Sequence, residues 1–243
     1  YDVLTSGIPN AITVFKELRA KGHEPVGIRI DSGDIASLAR QARTMLDAAG
    51  FPKAKITISN ALDENIIESL LHQGAPIDNF GVGEKLITSA SAPVLSGVYK
   101  LAAIEQNGQL IPKIKISDSR EKVTIPGQKQ IYRLYHQGTH DAFADLIALA
   151  DEDVVDQHHL DAFDSNPLSV SKVQKLTEFD AQPLLKPVDL KQTAVSPLEI
   201  QKFSKQCLAE LPDETKRLTN PDTYHVYMTT KLAKMQDELI NVN

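Results

Sequence analysis

GIRIDSGD, at residues 27–34, predicts an apolar strand that runs directly into a short charged turn. Arg29 lies between two isoleucines, and on an alternating strand it shares a face with Asp31. Gly33 permits a tight backbone, and Asp34 can cap a following helix. A cation and a carboxylate at the C-terminal end of a strand are unfavourable to bury in a hydrophobic core. This turn is therefore the first candidate ligand site.

The same succession of elements recurs around this stretch. Short strands are predicted over 26–30, 55–58 and 77–80. Apolar residues at helical spacing predict helices over 9–22, 34–50 and 64–74. A strand–loop–helix unit that repeats about every 25–30 residues is typical of a parallel sheet, and in a βα barrel the loops after the strands form the active-site edge. We therefore predict an α/β fold with three polar loops on one edge, at 29–34, 59–64 and 81–85.

After about residue 105 the pattern changes to antiparallel strands. They are predicted over 98–105, 112–117 and 130–135, with Asn107-Gly108 as a hairpin turn. Residues 140–195 give no clear pattern, and the acidic run 151–153 is interpreted as a solvated loop. Ser196-Pro197 predicts a helix over 196–211, and another is predicted over 223–240. The predicted domains are a partial βα barrel over 1–105, a β-rich segment over 106–195 and a helical extension over 196–243.

Composition narrows the class of protein. The chain has 243 residues and a formal net charge of −6, which gives no support to nucleic-acid binding. No apolar run approaches the roughly 18–20 residues that span a bilayer, so no membrane partner is expected. Cys207 is the only cysteine, which favours a structural thiol in a reducing, cytoplasmic compartment.

Two of the predicted strand-end loops carry residue types suited to an anion. In the loop GVGEK, Gly81 and Gly83 allow backbone N–H groups to approach a phosphate, and Lys85 adds positive charge, although a tight structural turn explains the spacing equally well. Asp31 and Asp34 fit Mg²⁺ held through water, ribose hydroxyls or a helix cap; the cap is favoured for Asp34 and a ligand contact for Asp31. The seven histidines predict no metal site. The residues alone indicate a sugar phosphate or a similar anion at the ends of parallel strands.

Five ordered stretches resemble the nicotinate phosphoribosyltransferase family, in the longer form found in Gram-positive bacteria. They are Tyr1-Asp2 with 6–11, then 27–34, 80–86, 97–101 and 126–130. The resemblance implies part of an irregular βα barrel of the type II phosphoribosyltransferase kind, followed by a β-rich segment and C-terminal helices. It also implies the joining of nicotinate to 5-phosphoribosyl 1-pyrophosphate in NAD biosynthesis, with Mg²⁺ required and with ATP hydrolysed through a phosphorylated histidine.

Matched position by position, the resemblance implies roles for individual residues. Arg29 and Asp31 are the expected catalytic pair, with Arg29 on nicotinate or phosphate and Asp31 on ribose or Mg²⁺-linked phosphate. The expected substrate- and phosphate-binding residues are Asp2, Ser32, Gly33, Asn60, Gly81, Gly83 and Lys85. No side chain is expected to bind a metal directly.

The chain also departs from the family pattern. Glu84 follows the second glycine of the loop and is expected to turn outward, because a carboxylate facing inward would repel phosphate. Ala61 stands where relatives often offer Asp or Gly. None of the seven histidines lies in the context of the phosphorylated one. We therefore expect a C-terminal half that is inactive alone, with the missing N-terminal half and a second copy, as a homodimer, for partners.

Two other interpretations stay open. The chain could be a non-catalytic domain that binds a phosphate ligand or another protein. It could also belong to a different βα-barrel enzyme that acts on a phosphorylated sugar, which the five ordered stretches disfavour.

Overall fold

The computed structural model describes residues 2–94, 96–118, 122–165, 173–188 and 195–242, so Tyr1 of the first family stretch lies outside the described residues. The chain divides into an N-terminal unit, Tyr1–Gly97, and a C-terminal unit, Val98–Asn243. Among the described residues, no helix is both long and apolar enough to cross a membrane. The predicted division at residues 105 and 195 stays a prediction.

The N-terminal unit alternates helices and parallel strands. One turn of π-helix, Val3–Gly7, leads into α1 (Ile8–Ala20), which is followed by β1 (Gly27–Ile30), α2 (Ile35–Ala48), β2 (Lys55–Ser59), α3 (Glu64–His72), β3 (Asn79–Gly81) and α4 (Glu84–Ile87). The strands form one sheet in the order β1-β2-β3, and both pairs are parallel. The predicted α/β class is confirmed, as are the two predicted strand–loop–helix units, β1 with α2 and β2 with α3.

Local chemistry explains where these elements begin. Asp34 Oδ1 accepts the Ser37 amide at 3.0 Å and caps α2, as predicted. Asp63 Oδ1 accepts the Ile66 amide at 2.9 Å and caps α3 in the same way. Gly27 lets β1 approach β2, because a Cβ there would lie 2.2 Å from the Lys55 carbonyl oxygen. The core between sheet and helices contains Ile30, Ala39, Ala42, Leu46, Ile56 and Ile58.

The C-terminal unit is mainly β-structure. It contains β4 (Ala103–Gln106), β5 (Gln109–Pro112), β6 (Lys129–His136), β7 (Ala142–Leu149), β8 (His159–Asp164), β9 (Val173–Thr177), β10 (Phe179–Pro183), α5 (Pro197–Ala209), a 3₁₀ turn (Asp213–Lys216), β11 (His225–Thr229) and α6 (Thr230–Val242). Six strands form a sheet in the order β10-β6-β7-β11-β8-β9. Strands β4 and β5 form the predicted hairpin, with Asn107 and Gly108 at φ 51° and 76°.

Three of the elements expected for this unit differ in the structure. The strands expected over 98–105 and 112–117 are replaced by β4 and β5, which form at 103–106 and 109–112. Residues 225–229 were expected at the start of a helix, but they form β11, which pairs parallel with β7 and antiparallel with β8. The acidic run at 151–153 is a loop with Asp151 and Asp153 exposed, as expected, but Glu152 Oε1 accepts the Leu149 amide and the Thr229 hydroxyl, each at 2.8 Å. Strand β11 was missed because its partners lie far away in the sequence.

Candidate functional site: the carboxyl edge of the parallel sheet

The strand register places the three predicted loops side by side. Ile30 pairs with Ile58, and Ser59 pairs with Gly81, so Asp31, Ser59 and Gly81 lie at the same level of adjacent strands. Neighbouring strands are about 4.8 Å apart, which brings the three chain segments within reach of one small ligand. We call this part of the N-terminal unit the carboxyl edge.

The loop after β1 presents an exposed ion pair. Arg29 Nη1 lies 3.0 Å from Asp31 Oδ2, and the two side chains are 62% and 54% exposed. An exposed pair of this kind contributes at most about 1 kcal/mol, so a ligand can displace either partner at little cost. Ser32 is exposed beside the pair, and Gly33 has a φ of 82°, which suits the tight turn.

The loop after β2 is the most strained part of this edge. Asn60 and Ala61 have φ values of 101° and 44°, a left-handed backbone that costs non-glycine residues energy. Just before them, the buried Ser59 hydroxyl has no hydrogen-bond partner among the described residues. Strain and an unpaired polar atom concentrate at functional sites, which supports the predicted role of Asn60. Neither feature has a signal in the sequence.

The two glycines of the loop after β3 leave room for other atoms close to their backbone. A Cβ at Gly81 would lie 3.3 Å from Ser59 Cβ, whereas one at Gly83 would meet nothing within 4 Å. Glu84 is exposed. Lys85 Nζ lies 2.5 Å from Asp63 Oδ2, and the lysine and the Ile66 amide hold the pKa of Asp63 below its usual value. No pattern in the sequence indicated this contact, because the two residues lie 22 positions apart.

Asp2, the remaining predicted site residue, is hydrogen-bonded to backbone amides of the turn that follows it. Its Oδ1 accepts the Leu4 and Thr5 amides at 2.9 and 2.7 Å, and these bonds lower the pKa of the carboxyl group. The strand register does not place Asp2 at the carboxyl edge. Its substrate-binding role stays a prediction, as do the roles of the other predicted site residues.

The histidines of the N-terminal unit lie away from this edge. His23 precedes β1, and His72 is in the last turn of α3, which returns the chain to the start of β3. Within the described ranges, no group of three or more His, Cys, Asp or Glu side chains could hold a metal ion.

Comparisons with known proteins identify the family. Residues 128–236 match the family model of the nicotinate phosphoribosyltransferase C-terminal domain. Nicotinate phosphoribosyltransferase of Bacillus subtilis is 44% identical over 232 residues, which cover 93% of this chain and 46% of the relative. The human protein of that name is 30% identical, over 98% of this chain and 45% of its own length.

A solved structure agrees with the sequence matches. The crystal structure of human nicotinic acid phosphoribosyltransferase superposes with a TM-score of 0.71 and 26% identity, over 99% of this chain and 45% of that one. The chain thus spans just under half the length of these relatives. By sequence and by fold, the chain matches the part of nicotinate phosphoribosyltransferases that contains their C-terminal domain.

Proposed function

We propose that this chain supplies one part of the phosphoribosyl site of an enzyme that joins nicotinate to 5-phosphoribosyl 1-pyrophosphate, giving nicotinate mononucleotide and pyrophosphate. The observation that carries the proposal is the alignment of the loops after β1, β2 and β3 at the carboxyl edge. We further propose that β1, β2 and β3 belong to an irregular barrel of the type II phosphoribosyltransferase kind. The names of the Bacillus and human relatives support the substrate assignment.

Arg29 and Asp31 are suited to different chemical groups of the substrates. The guanidinium can bind the nicotinate carboxylate or a phosphate in a bidentate manner once its exposed contact with Asp31 gives way. Asp31 can then accept hydrogen bonds from ribose hydroxyls. In the reaction, the bond from the anomeric carbon to pyrophosphate breaks and a bond to the nicotinate nitrogen forms, so positive charge develops on the ribose. A carboxylate that accepts hydrogen bonds from the ribose hydroxyls lies close enough to stabilise that charge.

The glycine loop is suited to the 5′-phosphate. Gly81 and Gly83 carry no side chain that would keep a phosphate from the backbone, and open space surrounds Gly83. Ser32, Gly33 and Asn60 lie on the neighbouring loops of the same edge and offer further donors. Glu84 is compatible with this role because it is exposed.

Mg²⁺ and ATP are expected from the family resemblance. We propose that an Mg²⁺ ion is carried mainly by substrate phosphates and water, with Asp31 as a neighbouring carboxylate. Bound there, Mg²⁺ would neutralise charge on the pyrophosphate. None of the seven histidines lies in the sequence context of the phosphorylated one, so we assign that histidine to the part of the relatives' length that this chain does not span. We also propose a cytoplasmic homodimer.

A nicotinate assay tests the proposal. The protein expressed from the complete reading frame containing this chain is expected to convert radiolabelled nicotinate to its mononucleotide, with dependence on 5-phosphoribosyl 1-pyrophosphate and stimulation by ATP and Mg²⁺. The 243-residue chain alone is expected to form no product. A complete protein that binds pyrophosphate without turnover would favour a non-catalytic binding domain instead.

A further inference from the structure

An ion pair joins two loops of the carboxyl edge across 22 residues of sequence. Lys85, which follows the glycine loop, lies 2.5 Å from Asp63 Oδ2, and the two side chains are 36% and 20% exposed. The other carboxylate oxygen, Oδ1, accepts the Ile66 amide. One carboxylate therefore fixes both the start of α3 and the amine of Lys85.

The position of Asp63 is itself fixed by its neighbours. Asn60 and Ala61 turn the chain sharply through left-handed conformations after β2, and Leu62 is buried in the core at 2% exposure. On the far side, α3 holds Asp63 through its cap. A carboxylate anchored from both sides loses little further freedom when it binds a lysine, so this pair is better organised than an ordinary surface pair.

The position of Lys85, in contrast, depends on the pair. Val82 packs against the core on one side of Gly83, but a Cβ at Gly83 itself would meet nothing within 4 Å, so Lys85 is the next residue of the loop with a side-chain partner. The amides of Leu86 and Ile87 both bond to the Gly83 carbonyl oxygen, at 3.1 and 3.0 Å. Holding Lys85 therefore also holds the turn that continues from the glycine loop.

We infer that Asp63 is a positioning residue that holds the glycine loop through Lys85, and that the Lys85 amine is committed to this contact rather than to phosphate. This inference rests on the proposed function for the identity of the ligand, a phosphate group. It revises the role expected for Lys85, since the phosphate is then left to backbone donors of the glycine loop.

Three variants of the 243-residue chain test whether the ion pair of Asp63 with Lys85 holds the glycine loop. Asp63→Ser keeps a capping oxygen for Ile66 but cannot reach Lys85, Lys85→Met removes the charge with little change of shape, and the third variant combines both changes. Hydrogen exchange of the Leu86, Ile87 and Thr88 amides is measured without ligand. Each single variant is expected to exchange about two- to fivefold faster, and the double variant no faster than either single one.

Asp34→Ser is the matched control, because Asp34 caps α2 as Asp63 caps α3. It is expected to leave exchange at residues 86–88 unchanged. Salt at about 1 M, where the Debye length is roughly 3 Å, is expected to shrink the difference between wild type and Asp63→Ser. Exchange that is unaffected by Asp63→Ser would overturn the inference.

Calorimetric titration with inorganic phosphate, which stands in for the 5′-phosphate, distinguishes the two possible roles of Lys85 in the protein expressed from the complete reading frame. A positioning role requires Asp63→Ser to weaken binding, as Lys85→Met does, even though Asp63→Ser removes a negative charge. A direct role requires Lys85→Met to weaken binding while Asp63→Ser strengthens it, since a competing carboxylate is gone; that result would overturn the inference. If wild type binds no phosphate but the exchange coupling is present, Asp63 still holds the glycine loop and the proposed ligand of the loop is wrong.

Discussion

Two carboxylates of one turn have different roles because their partners differ. Asp34 accepts a backbone amide of the helix that it caps, and removing that bond exposes an unsatisfied donor. Asp31 contacts only an exposed guanidinium among the partners the structure gives it, so a ligand can replace that contact. Arg29 and Asp31 are thus the charged pair that a ligand can reach. Arg29 is the better residue to replace, because separate variants can test its charge and the bidentate geometry of its guanidinium.

Replacing Arg29 is expected to abolish turnover without unfolding the protein. In the protein expressed from the complete reading frame, Arg29→Ala should lower kcat/KM by about 100-fold or more, because a charged contact to the reacting groups is lost. Arg29→Lys should restore little, since lysine lacks the bidentate fork. Arg40→Ala is the matched control, because Arg40 lies on α2 and donates to the Gln73 carbonyl oxygen. Near-normal activity of Arg29→Ala would remove Arg29 from the site.

A side chain at Gly127 is disfavoured both by its backbone conformation and by close contacts, and a comparison with Gly138 separates these two causes. Its φ is 81°, and a Cβ there would lie 2.7 Å from Leu149 Cδ2 and 3.4 Å from Met235 Sδ. Gly138 has a φ of 74° but open space around it. Gly138→Ala should lower the free energy of unfolding by about 1 kcal/mol, and Gly127→Ala by about 2–4 kcal/mol. Equal losses in urea unfolding would mean that the contact with Leu149 is readily relieved.

Alkaline pH is expected to weaken the C-terminal unit through Tyr135. Burial and the hydrogen bond that its hydroxyl donates to Glu210, at 2.9 Å, raise the pKa of Tyr135 to about 12. An unfolded tyrosine loses its proton near pH 10. The stabilisation is therefore complete below about pH 10 and is lost as the pH rises towards about 12, because the unfolded chain releases the proton first.

Urea unfolding at pH 8 and at pH 11 measures this effect. Tyr135→Phe is expected to lower stability at pH 8 and to reduce the further loss between the two pH values. Tyr99→Phe is the control, since that ring is fully exposed. An unchanged pH slope in Tyr135→Phe would assign the alkaline loss to other groups.

Elements whose signals are local could be predicted, and those defined by distant partners could not. Strand–loop–helix periodicity, the Asp34 cap and the Asn107-Gly108 turn are each contained within a few residues, and all three were confirmed. Strand β11 was missed because its identity comes from insertion between β7 and β8. The pair of Asp63 with Lys85 escaped for the same reason, since its members lie 22 residues apart. No spacing rule encodes a contact between two loops.

Thr229 links β11 to α6, and its removal should destabilise the whole sheet. Its buried hydroxyl donates to Glu152 Oε1 at 2.8 Å and accepts the Leu232 amide at 3.3 Å. Thr229→Val should lower the free energy of unfolding by about 1–3 kcal/mol. Ser196→Ala also removes a helix cap, but α5 has no buried residue, so that helix should fray with little effect on the urea midpoint. Similar midpoint shifts for both variants would contradict this distinction.

At the scale of the whole molecule, the chain is about half as long as the relatives that it matches. The sheet of its N-terminal unit has two open edges among the described residues. Its sheet has three parallel strands, and β1 and β3 are the outer strands of it. Parallel sheets are normally covered on both faces, and an outer strand offers unpaired backbone groups to another chain. Large apolar side chains near the end of the unit are also exposed, with Leu86 at 70%, Ile87 at 88% and Val94 at 73%.

The isolated chain is therefore expected to self-associate through its N-terminal unit. Light scattering after size-exclusion chromatography should give a mass above the 26.7 kDa of the monomer, and the excess should rise with protein concentration. Ile87→Glu should reduce the association, because it places charge among the exposed apolar residues that follow β3. Leu198→Glu, which changes an equally large and exposed residue of α5, should not. A monodisperse monomer of the wild-type chain would mean that neither the open sheet edges nor the residues after β3 bind a second copy.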